Sequence, residues 1–256
     1  MLKKRLIPKI LIKTIKSDFV MVTTRKFLKH NIVGDPTSQA KIFQSQFADE
    51  LVVVFIDKKI KLNTLKVKDL LFKMSSETLM PLTIGGGINS LNDIRFLMNN
   101  GADKVLINTL CYKNPSIIKK ASEIFGRQCI VASVDYKEKN KKTYIKIKNK
   151  FILVNLDEYI SKIEKIGVGE VLMTNIDRDG TEEGLDLECA KKYSKQLNVP
   201  LIISGGCGLA KHFKDCFLNS KVEGIASGTF FSNKDQNPLQ TRAQIKNSGV
   251  DIRVNE

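Results

Sequence analysis

The chain has 256 residues, 42% of them hydrophobic, and a formal net charge of +15. An apolar share of that size can fill a core, which excludes a disordered polymer, and no run approaches the roughly 18 uncharged apolar residues of a transmembrane helix. The length suits one large α/β domain or two small ones.

The positive surplus fits either a solvated, lysine-rich surface or an anionic ligand or partner. Aromatic residues do not interleave with a basic patch in any nucleic-acid motif, so nucleic-acid binding is not expected. Cys111, Cys129, Cys189, Cys207 and Cys216 are odd in number and scattered, and read as reduced, mostly buried thiols. His30 and His212 are the only histidines. No cluster has metal-ligand spacing, and neither a metal nor a cofactor is expected.

The opening stretch, MLKKRLIPKILIKTIK, is basic and then apolar, like a signal peptide. Lys9, Lys13 and Lys16 interrupt the apolar part, and no small-residue cleavage site follows. It is read as the first strand of a cytoplasmic protein with no membrane partner. Further strands are expected at LVVVFI, PLTIG, KVLIN, CIVASVD, EVLMTNI, PLIIS and GIAS. Helical stretches lie between them. One opens at Asp35-Pro36, a second is bounded by Ser90 and Gly101, and a third by Asn114-Pro115 and Gly126. The basic run after CIVASVD alternates with period two and predicts a hairpin in the fifth strand-to-helix loop. Gln236-Asn237-Pro238 is read as the cap of the last helix.

Eight strands, most followed by a helix, predict a single (β/α)8 TIM barrel over residues 1–256. The sequence also repeats. PLTIGGGI at 81–88 and PLIISGGC at 200–207 are offset by 119 positions, and ELVVVFID and EVLMTNID by 120. Two half-barrels, about 1–125 and 126–256, follow.

In such a barrel the strand ends before these glycines lie on one rim, where glycine lets a phosphate approach backbone N–H groups. Gly86 and Gly87 with Asn108 and Thr109 predict one phosphate cradle. Gly205 and Gly206 with Ser227 and Gly228 predict its mirror, and Gly180 and Thr181 are also expected to bind phosphate. Two cradles imply a long ligand with a phosphate at each end.

These motifs resemble the cyclase subunit of imidazole glycerol phosphate synthase, the HisF family, and its sister isomerase. The likeness to the cyclase spans nearly the whole chain. It rests on MLxKRLIP at the start, GDP at 34–36, DEL at 49–51, GGGI at 85–88, GADKVxINT at 101–109, NPS at 114–116, GEVLMTNIDRDGT at 169–181, SGG at 204–206 and GVDIR at 249–253. The resemblance implies an ammonia-using lyase-type subunit, paired as a heterodimer with a HisH-like glutaminase that docks underneath. It also implies a bisphosphorylated ribosyl-carboxamide nucleotide on top.

In that family two aspartates, on strands 1 and 5, act as acid and base. The strand-5 aspartate matches Asp135, whose residue-level alternative is a turn cap. The strand-1 position holds Leu11, which cannot carry a proton. Phe55 stands where the family has a further aspartate, with Asp57 close behind. The family's loop-1 lysine has no clear match, with Lys26 and Arg25 as stand-ins. Arg5, Glu50, Lys104 and Glu170 match the charged ring that gates the family's ammonia entrance. The residue-level alternative is an ordinary solvated rim.

A retained gate with an altered acid–base pair resembles the cyclase-like paralogues of surface-polysaccharide gene clusters. Those supply ammonia to an ATP-dependent enzyme that builds an acetamidino group on a sugar. Two other readings stand beside this one. One is an authentic histidine-pathway cyclase using Asp57 or Asp177 as its acid. The other is a non-catalytic scaffold that activates a glutaminase.

Overall fold

Alternate residues of the first strand enter two different cores. Strand β1 (Arg5–Ile15) sends Ile7 into a small central cluster, while Leu6, Ile10 and Ile12 join the large cluster beneath the helices. A strand buried on both faces, with period-two side chains, belongs inside a closed barrel. The computed structural model describes residues 3–57, 60–233 and 236–253. Met1 and Leu2 of the opening motif lie outside the described residues, as do the extreme ends of the 1–256 span.

The first half of the chain runs β1, β2 (Asp18–Arg25), β3 (Lys29–Gly34), α1 (Pro36–Ser45), β4 (Leu51–Phe55), α2 (Leu65–Glu77), β5 (Leu82–Gly85), α3 (Leu91–Met98), β6 (Lys104–Ile107), α4 (Thr109–Lys113) and α5 (Pro115–Phe125). The second half runs β7 (Ile130–Lys139), β8 (Lys142–Ile147), β9 (Lys150–Val154), α6 (Leu156–Lys165), β10 (Glu170–Asn175), α7 (Leu187–Gln196), β11 (Leu201–Ser204), α8 (Ala210–Asn219), β12 (Gly224–Ser227), α9 (Thr229–Asn233) and α10 (Pro238–Lys246). The parallel strands follow the order β10-β11-β12-β1-β4-β5-β6-β7, and β10 pairs with β7 to close the ring. This is an eight-stranded (β/α)8 barrel, and the eight strands are those expected from the sequence.

Local chemistry sets the helix ends. The side chains of Asp35, Ser90 and Asn237 accept from Ser38, Asp93 and Gln240 backbone N–H groups, and prolines occupy the first turns of α1 and α10. Asn114 precedes α5 but makes no capping hydrogen bond through its side chain. Helix α10 is locked to the barrel floor by a buried ion pair, Arg242 Nη2 to Asp49 Oδ2 at 2.8 Å. The same carboxylate accepts from Leu6 N at 2.7 Å.

Two antiparallel ribbons rise from the opposite rim. One is the hairpin expected after the fifth strand, β7-β8-β9. The other was not read from the sequence: β1 continues upward and pairs with β2, and β2 with β3. Among the described residues, no helix is long and apolar enough to cross a membrane.

Candidate active site in the barrel lumen

At the barrel floor four charges alternate in a closed ring. Arg5 Nη1 lies 2.8 Å from Glu50 Oε2, and Arg5 Nη2 pairs with Glu170. Lys104 Nζ closes the circuit at 2.9 Å from Glu50 and 3.1 Å from Glu170. Thr83 Oγ1 donates to the other oxygen of Glu50 at 2.6 Å. Glu50 is 2% exposed, so burial works against its charge. Lys104 and Arg5 overcome that penalty and hold the carboxyl below its ordinary value. Burial opposes the Arg5 charge too, and Glu170 and Glu50 together raise its pKa. A ring of this kind is tolerated in a barrel because every charge has two opposite neighbours.

Above the ring lies an apolar layer of Ile7, Val52, Leu106, Val131, Leu172, Ile202 and Ala226. It offers no hydrogen-bonding side chain, which suits a small neutral molecule better than an ion. The next layer turns polar, with Lys9, Ser133, Thr174 and Ser204 buried around the axis. Above them a cavity of about 410 Å³ opens, bordered by Leu11, Asp135, Asn108 and Thr109 and roofed by the two ribbons. Phe27 from one ribbon and Lys146 from the other meet over it, with the ammonium 4.7 Å from the ring centre.

Asp135 and Asp57 are the carboxylates that border this cavity, and Asp135 stands on the barrel strand β7. Asn108 Nδ2 donates to its Oδ2 at 2.9 Å, and Ser133 Oγ to its Oδ1 at 3.3 Å. Burial raises its pKa, against the charges of Lys9 and Lys146 and these two hydrogen bonds. A buried carboxyl whose pKa is raised, bordering a cavity, is a candidate proton-transfer group. Leu11 faces the same space from β1, beside Val54 of β4 and Val22 of β2.

The two glycine turns share one construction. Gly86 has φ +89° and Gly205 φ +98°. A Cβ on Gly86 would stand 1.9 Å from the Phe55 carbonyl oxygen, and one on Gly205 2.5 Å from that of Asn175. Phe55 and Asn175 are themselves 120 positions apart in the repeat. In each half, therefore, the carbonyl ending one strand fills the space that a side chain would need. Gly86, Gly87, Asn108 and Thr109 border the large cavity. Gly205, Gly206, Ser227 and Gly228 border an adjoining recess with Gly180.

The structure separates some residues that the sequence grouped. Asn108 spends its amide on Asp135, so it orients the carboxylate as well as bordering the cavity. The Thr181 hydroxyl donates to the Arg178 carbonyl at 2.8 Å and turns its own loop. Arg25 and Lys26 are exposed at the ribbon tip rather than lining the cavity. Lys9, Lys146 and Lys148 do line it. Asp57 Oδ2 accepts from Thr14 N at 2.6 Å, and Asp177 Oδ2 from Glu138 N at 3.1 Å, so each braces a ribbon. Phe55 packs on Phe19, ring centres 5.6 Å apart. Lys9 was missed as a site residue, although it shares the odd-numbered row of β1 with Arg5, Ile7 and Leu11.

The histidine biosynthesis protein family matches residues 5–236. The chain belongs to the HisF family. A relative from Prochlorococcus marinus (strain MIT 9313), carrying the name of an imidazole glycerol phosphate synthase subunit, hisF2, is 40% identical over 264 residues and spans 100% of both chains. The HisF subunit of Clostridium botulinum (strain Langeland) is 36% identical, over 89% of this chain and 91% of that one. That of Methanocaldococcus jannaschii is 33% identical, over 99% and 100%. The HisF-family chain thus aligns with full-length relatives across its whole barrel, and is a HisF-like, cyclase-type subunit.

Proposed function

We propose that this HisF-family chain is the synthase subunit of a glutamine-dependent amidotransferase. A HisH-like glutaminase docks at the charged ring, ammonia crosses the apolar layer, and a phosphorylated ligand sits between the two cradles. The acceptor served is a surface-polysaccharide sugar, which a separate ATP-dependent enzyme converts to an acetamidino derivative. The observation that supports this most is the contrast within one lumen. Its floor carries a complete charged ring, while its upper layer sets Leu11 in the cavity with Asp135, at the position where the family resemblance implies a second acid. Ring closure in the histidine pathway needs proton transfer on both faces of the substrate. Delivery of ammonia needs only the conduit.

Each end of the reading has a residue-level role. Arg5, Glu50, Lys104 and Glu170 admit ammonia and exclude ions. Asp135, held by Asn108, takes up or returns a proton at the exit. Co-purification with a glutaminase of the same organism tests the partnership. Glutamine hydrolysis that rises on adding the barrel, together with loss of the acetamidino sugar from cells carrying Asp135→Asn, supports the reading. A barrel that neither binds nor stimulates a glutaminase removes it.

A further inference from the structure

Lys9 is a buried cation that the proposed function leaves unused. It is 6% exposed and projects from β1 into the polar layer of the lumen. Its Nζ donates to Ser204 Oγ at 3.0 Å. Among the described residues no carboxylate stands within ion-pair distance of it, and Ser204 is its one side-chain hydrogen-bond partner. Asp135 feels its charge, but that carboxylate is held by Asn108 and Ser133. An ammonium has three donors, so two remain for something else. Buried charges persist in proteins when they are paired.

The position of Lys9 indicates what completes the pair. Lys9 borders both the large cavity with Asp135 and the recess formed by Gly205, Gly206, Ser227 and Gly228. Its own carbonyl oxygen is 3.1 Å from where a Gly228 Cβ would stand, so β1 and the second cradle are in contact. We propose that Lys9 anchors an anionic group of the ligand, a phosphate seated in this second cradle. The inference rests on the reading of the glycine turns as phosphate sites and makes them unequal. The Gly205–Gly206 side holds its phosphate with a buried charge from the barrel wall. The Gly86–Gly87 side has its cations on the ribbon, at Lys146 and Lys148.

Titration of the full chain with inorganic phosphate, followed by amide ¹⁵N–¹H NMR, tests this. The parent chain is expected to show shifts at Gly205, Gly206 and Gly228 and also at Gly86 and Gly87. In Lys9→Met and in Lys9→Gln the first set should weaken about tenfold or more in apparent affinity, the loss expected for a charge-assisted hydrogen bond. The second set should persist, which also reports that the variant is folded. Unchanged affinity at Gly205 and Gly206 in both variants would overturn the role of Lys9 and leave the cradles standing. No phosphate response in the parent chain at either pair would remove the cradles and the inference together.

Discussion

The Asn108 side-chain amide donates to the Asp135 carboxylate across 2.9 Å, joining the end of β6 to β7 on the wall of the cavity. The bond favours the charged carboxylate, so it opposes the burial that raises the pKa. Asn108→Ala is therefore expected to move the Asp135 titration still higher. A raised carboxyl contributes most stability in acid and loses it as pH rises through its titration, so the variant should lose relatively more stability toward alkaline pH. Carboxyl ¹³C NMR of the two chains, with thermal unfolding at several pH values, checks both. A titration that stays put would mean that the amide does not orient this group.

The floor ring should respond as one unit. Glu50→Gln leaves Arg5 and Lys104 facing each other with one carboxylate between them. A cost of about 3–5 kcal/mol is expected, as for a broken buried pair. Because the folded carboxyl is held low, its contribution is present at neutral pH and disappears as pH falls through its titration. The gap between parent and variant in urea unfolding should therefore be large at neutrality and small in acid. A gap under about 1 kcal/mol at neutral pH would show that the ring is as loosely held as a surface pair.

Gly86→Ala and Gly205→Ala should both destabilise, and in the same manner. Each places a Cβ against a backbone carbonyl at a positive φ, 1.9 Å and 2.5 Å away respectively. Left-handed strain alone costs about 1–3 kcal/mol, and the clash adds to it. Calorimetry of the two variants gives the answer. A neutral outcome at either would show that the turn can relax away from Phe55 or Asn175.

The barrel was legible because its strands are short apolar runs buried on both faces, spaced by capped helices. The fifth-loop ribbon was legible too, since β8 alternates and Asn140 takes the first of the two positive-φ positions of its turn, ahead of Lys141. The first-loop ribbon was not. Its turns put Lys16, Lys26 and Phe27 at φ near +55°, residues that give no turn signal. The glycine pairs and the four ring residues stood out through repeat and spacing. Lys9 did not, because a lysine in a strand reads as solvent-facing until the closed barrel fixes which face is inside. Asn108 was visible as a cradle residue but not as the partner of Asp135, since a contact between neighbouring strands leaves no local pattern.

On the proposed function, this barrel keeps the ammonia path of its family without the full acid–base pair of the cyclase. The rate of ammonia-dependent cyclisation of the bisphosphorylated carboxamide nucleotide, measured beside a HisF subunit of the histidine pathway, decides between that reading and a histidine-pathway cyclase. The expected rate for this chain is lower by about 10²-fold or more, the contribution of one proton-transfer group. A rate within a few-fold of that HisF subunit would contradict the claim and make this chain a histidine-pathway cyclase.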